Sequence, residues 1–116
     1  MSTEGGHRIE VRNNLDTHRY VASIDGQSAG YTVYVIVEGR HWFTHTQIDP
    51  AYDHQEVGSF LVRRALDDMR AQDATIVPVC PVVEDWIGRH LEYEDLVDRE
   101  ALRQYRRDNK IKLRSR

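Results

Sequence analysis

The period of the hydrophobic pattern changes once, at Asp49-Pro50, and that change limits the folds open to this chain. Before it, apolar residues alternate with polar ones. Ile9 and Val11 alternate within His7 to Asn13, Tyr20, Ala22 and Ile24 within Arg19 to Ile24, and Tyr31, Val33, Val35 and Val37 within Ala29 to Val37. A period of two is that of a half-buried strand. His41 to Ile48 supplies a fourth such run. Asn13 to Asp16, Asp25-Gly26 and Glu38-Gly39 fall between the runs, where Asx-Gly and related pairs turn a chain back on itself. The first half therefore reads as a four-stranded antiparallel meander.

After Asp49-Pro50 the spacing becomes three and four. Val57, Phe60, Leu61, Ala65, Leu66 and Met69 form one helical face, with Arg63, Arg64, Asp67, Asp68 and Arg70 on the other. Gln72-Asp73 ends that helix, and Thr75 to Cys80 is β-rich. A strand directly after a helix joins the same sheet, parallel to the strand before it. Pro78 lacks an N–H, so its amide side faces an edge or a gap. Pro81 suits the first turn of a second helix carrying Val82, Val83, Trp86, Ile87 and His90. The expected class is α+β: a mostly antiparallel sheet of about five strands, one strand–helix–strand crossover and a C-terminal helix.

Length allows one core, and the expected organisation is a flexible N-terminus at 1–6, a domain at 7–98 and a basic tail or helix at 99–116. That tail holds eight Arg or Lys residues against Glu100 and Asp108, a net +6, leaving −9 on Met1 to Asp98. An acidic body argues against a nucleic-acid binder, whose basic residues form a patch on the folded surface. No run approaches the length of a membrane span. Met1 to Gly6 lacks the pattern of a secretory signal, and a cytoplasmic protein is the expectation. Cys80 is the single cysteine, which excludes an internal disulfide and a cysteine-rich metal cage. His41 and His45 are four apart, about 13 Å on a strand, too far to share one ion. No metal site is expected.

His45 to Pro50, the segment Tyr52 to Ser59, the helix Leu61 to Arg70, and Pro78-Val79-Cys80-Pro81 followed by Trp86 to Tyr93 resemble the short GNAT-like N-acetyltransferase family of the GNAT superfamily. The resemblance covers roughly residues 7 to 97. It implies acetyl-CoA as donor and an amine, small molecule or protein, as acceptor. It also implies a pantetheine strand that includes Ile48. In that family a loop of form Arg or Gln, two residues, Gly, one residue, Gly or Ala wraps the pyrophosphate at a helix N-terminus, where unpaired amides and the helix dipole favour anions. By resemblance Val57, Gly58 and Ser59 supply loop amides, with Gln55 beside them.

Aligned on Gly58, Asp53 stands at the basic or amide position and Glu56 at the first glycine. Two acids there weaken the expected hold on acetyl-CoA. A cysteine at the place of Cys80 is a family feature, which makes Cys80 a candidate nucleophile or proton donor. His45, on the fourth strand, is the candidate general base. Trp86 replaces a common tyrosine and is expected to pack, as is Tyr93. Two functions follow: an acetyl-CoA-dependent N-acetyltransferase, or a non-catalytic GNAT-like binding module with a degenerate cofactor loop. The edge of the first strand and the tail leave a homodimer open.

Overall fold

The computed structural model describes residues 8–114, with side chains described for 8–109. Five strands, β1 (Ile9–Asn14), β2 (Arg19–Ile24), β3 (Gln27–Val37), β4 (Arg40–Ile48) and β5 (Thr75–Pro78), form one sheet in chain order. The first three pairings are antiparallel and β4–β5 is parallel. Asp25-Gly26 and Glu38-Gly39 close the β2–β3 and β3–β4 hairpins as two-residue turns. Positive φ at both residues of each turn (51° and 84°, 51° and 79°) makes glycine the natural second residue.

The crossover is α1 (His54–Ala71), which lays Val57, Leu61, Val62, Ala65, Leu66 and Met69 against β1 to β4. Tyr20, Ala22, Ile24, Tyr34 and Phe43 point up into it from the strands, and each is at most 4% exposed. The Tyr20 hydroxyl donates to Asp68 across this interface, and burial together with that carboxylate pushes the phenol well above its ordinary range.

Beyond β5 come α2 (Pro81–Gly88), a 3-10 segment at Leu91–Leu96 and α3 (Arg99–Arg114). The single helix expected through His90 thus stops at Gly88. In a continued helix the His90 amide would take the Trp86 carbonyl, but the His90 ring Nδ1 takes it at 2.8 Å, and the amide bonds Ile87 O instead. The 3-10 segment returns Tyr93 and Leu96 to the core, and Val97 then forms a single parallel bridge with Ile76.

From Asp98, α3 runs back over the other face of the sheet. Asp98 caps it, accepting from the Ala101 amide at 3.0 Å, and pairs with Arg40 at 2.6 Å. Val77 and Leu102 are buried but stand apart from the main core. Val77 is the register partner of Trp42, whose ring meets Tyr105 of α3 at 5.9 Å. This is a second, smaller apolar cluster beneath α3. The expected class and the C-terminal helix are as found; residues 1–6 lie outside the described residues. No helix among the described residues is long and apolar enough to cross a membrane.

Candidate functional site: the end of the strand 4–strand 5 ladder

β4 and β5 pair only from Arg40/Thr75 to Phe43/Pro78. Pro78 offers no N–H and the chain leaves the sheet there, while β4 continues to Ile48 paired with β3 only. The Cys80 amide donates to Phe43 O at 2.8 Å, pinning the start of α2 at the point of divergence. The thiol of Cys80, 2% exposed, donates to Thr46 Oγ1 at 3.3 Å. Thr46 in turn hydrogen-bonds the hydroxyl of fully buried Thr32 at 2.9 Å. A thiol and two hydroxyls thus form one internal chain behind the gap.

His45 is not part of it. Phe43 pairs with Tyr34 and His45 with Val33, which leaves Thr44 as an extra, unpaired residue on β4. Such a bulge inverts the alternation beyond it. Unbroken alternation from buried Phe43 would aim His45 at Cys80. The bulge aims Thr46 there and turns His45 to the opposite face, exposed, with its ring 6.2 Å from Tyr31. The two side chains expected to carry the chemistry stand on opposite sides of the sheet. His41 lies on the inner face against Tyr34, at 5.3 Å, and so does not meet His45. Among the described residues no group of three or more His, Cys, Asp or Glu side chains is placed to hold a metal ion.

The anion-binding loop expected at Tyr52 to Ser59 is replaced by helix from His54 onward. Asp53 is the reason. One of its carboxylate oxygens accepts the amides of Gln55 (2.8 Å) and Glu56 (3.1 Å), and its carbonyl accepts that of Val57 (3.0 Å). A side-chain oxygen on the amides of the first turn is the ordinary N-cap, and it occupies the donors that would otherwise meet an anion. The amides of Gly58 and Ser59 lie one step further along, inside the helix's own ladder. Val57 and Gly58 are buried against the sheet, and Ile48, 8% exposed, lies next to Gly58. The Ser59 hydroxyl accepts the Trp86 indole N–H at 2.9 Å. Only Gln55 of the five expected donor contacts is exposed, together with the carboxylates of Asp53 and Glu56.

Trp86 and Tyr93 pack, as expected. Trp86 is 2% exposed, stacked on His90 at 3.9 Å and edge-on to Tyr93 at 5.0 Å. The Tyr93 hydroxyl donates to Asp67 at 2.6 Å, and burial together with that carboxylate raises its pKa. Thr32 and Thr46 gave no sign in the sequence as polar partners of Cys80. One sign of the bulge was present: Phe43 and Ile48 are five apart, an odd spacing that strict alternation cannot bury on one face.

No curated protein matches the chain. A family model described as GCN5-related N-acetyl-transferase matches residues 19–96, from the start of β2 to the end of the 3-10 segment. The family generally uses acetyl-CoA as acyl donor. With that match spanning more than half of the sequence, and with the mixed five-stranded sheet, its single helical crossover and the divergence of β4 from β5, the chain belongs to the GCN5-related N-acetyltransferase family.

Proposed function

We propose that this chain is a binding module on an acetyltransferase scaffold, without the family's cradle for the acetyl-CoA pyrophosphate. One observation carries the proposal: the Asp53 carboxylate already occupies the Gln55 and Glu56 amides, and the Val57 amide is taken by the Asp53 carbonyl. A diphosphate arriving there finds spent donors and two exposed carboxylates, Asp53 and Glu56. At about 4 Å and an effective dielectric near 20, each like-charge contact costs roughly 4 kcal/mol, falling to about 1 kcal/mol in full solvent. The residues at the helix start therefore do not fit the group.

Calorimetric titration with acetyl-CoA and with CoA tests this. The expected result is no saturable heat at millimolar ligand, and a micromolar dissociation constant would overturn the proposal. In the double variant Asp53→Ala, Glu56→Gly the Gln55 amide and that of residue 56 are released and both charges removed, and binding should gain at least ten-fold. A second reading is acetyl-CoA-dependent transfer to an amine, with Cys80 as the catalytic side chain and His45, on the opposite face, outside the reaction. Family membership and the Cys80–Thr46 contact at the strand divergence favour it. Intact-protein mass after incubation with acetyl-CoA, with and without an added amine, tests it: a Cys80-dependent acetyl adduct that the amine discharges as its acetamide would favour that reading instead.

A further inference from the structure

Between the β3–β4 turn and α3 lies an open cavity of about 570 Å³ on the outer face of the sheet. Its size falls within the range that holds small ligands. Two aromatic walls bound it, Trp42 from β4 and Tyr105 from α3, with ring centroids 5.9 Å apart and planes at 64°. Glu38, Asp98, Glu100 and Asp108 also line it, against one lining base among the described residues, Arg40.

The charge of this cavity is opposite to that of the helix that builds it. Within Arg99 to Asp108, α3 carries Arg99, Arg103, Arg106 and Arg107, yet the residues it gives to the cavity are Ala101, Gln104, Tyr105 and Asp108, together with Glu100 at the rim. Positions 101, 104, 105 and 108 share one helical face. Arg99 and Arg106 turn to Glu84 instead, whereas Arg103 reaches the rim and pairs with Glu100 at 2.8 Å. Arg40 is held to the wall by Asp98 at 2.6 Å and by the Glu38 carbonyl at 3.3 Å. The Ala101 amide and Arg40 keep the Asp98 carboxyl below its ordinary range, so it stays charged. Glu38 makes no ion pair among the described residues, and the Trp42 indole N–H, although buried, has no partner among them. A cation set against such an aromatic pair gains from the ring electrons and from the surrounding carboxylates.

We propose that this cavity binds an organic cation, an alkylated ammonium head, against the Trp42–Tyr105 pair within the acidic rim. The proposal gives the binding-module reading a ligand class, and the two fail separately, because the acetyl-CoA titration does not involve this cavity. Such a head occurs on free choline-like molecules and on alkylated lysine side chains, so the test uses both. At fixed ionic strength, choline, a peptide bearing trimethyl-lysine, and 3,3-dimethylbutan-1-ol, which has the shape of choline without the charge, are titrated separately. The Trp42 indole N–H resonance in a nitrogen-15 correlation spectrum is followed, with the Trp86 indole, bonded to Ser59, as the internal control.

A saturating shift of the Trp42 signal with either cation, at least ten-fold tighter than with the neutral isostere, supports the proposal, and the tighter cation names the source. Tyr105→Leu, at an exposed position, and Glu38→Gln, in a surface turn, should each weaken binding by roughly ten-fold, on the order of one cation–π or close charge contact. Equal affinity for choline and the isostere overturns the proposal. So does an unsaturable response to both cations, or affinity unchanged in the Tyr105→Leu, Glu38→Gln double variant.

Discussion

Under α1 the sheet carries Tyr20, Tyr34 and Phe43, each at most 2% exposed, whereas on the other face of the same strands Val35 and Val37 are 42% and 47% exposed. Most polar groups within the inner face are satisfied internally, Tyr20 by Asp68, Thr32 by Thr46, Cys80 by Thr46 and the Trp86 indole by Ser59, while buried His41 Nδ1 has no partner among the described residues. On the outer face the described residues of α3 cover the end around β5 and Trp42, and leave a cavity with acidic walls there. The contrast shows how a ligand site is closed without altering the architecture. A packed face that pairs its own donors, down to the first amides of α1, has little left to offer a guest, while a partly covered face retains a concave surface and unpaired charge.

The largest effect expected from this contrast is in stability. Phe43→Ala empties a fully buried site on the inner face and should cost about 3–5 kcal/mol in urea unfolding, whereas Val35→Ala on the outer face should stay within about 0.5 kcal/mol. Comparable losses at the two positions would break the distinction between the faces. Next in size is the N-cap. Asp53→Ala should destabilise the fold by about 1 kcal/mol, because two first-turn amides lose their acceptor. A neutral result would mean that water or a ligand serves those amides equally well.

The smallest effect is a pH dependence. His41 is pushed below its ordinary value of 6.5, first by burial and then by His18, with Asp68 opposing. A group with a depressed folded pKa contributes fully above its unfolded pKa. Stability should therefore be level above pH 6.5, then decline as pH falls from 6.5 through the folded pKa. His41→Gln should flatten that slope. Thermal melts across pH 5 to 8 measure it, and an unchanged slope in the variant would assign the decline to another group.

Much of this architecture was legible because its causes are local. Alternation, two-residue turns and a change of period are properties of adjacent residues, and they yielded all five strands, their order and the crossover helix. What escaped depended on competition between neighbours. Helix α1 begins at His54 because Asp53 satisfies its amides, whereas the family resemblance led to a loop up to Ser59. Helix α2 ends early where the Trp86 carbonyl is shared by the Arg89 amide and the His90 ring. His45 faces away from Cys80 because one extra residue, Thr44, shifts the parity of β4. The outer cavity joins residues from Glu38 to Asp108, and no local pattern marks partners so distant in sequence.

The order of the sheet also bears on how the chain reaches this state. Since β1 to β5 lie side by side in the order in which they are synthesised, each strand emerges next to the partner it will pair with, and three of the four pairings close through short turns. Contacts between sequence neighbours form quickly because little loop entropy is lost in making them. Only the β4–β5 pairing must wait for an intervening helix, and the strand it adds is four residues long. The meander is therefore expected to assemble early, with the region where β5 parts from β4 following it.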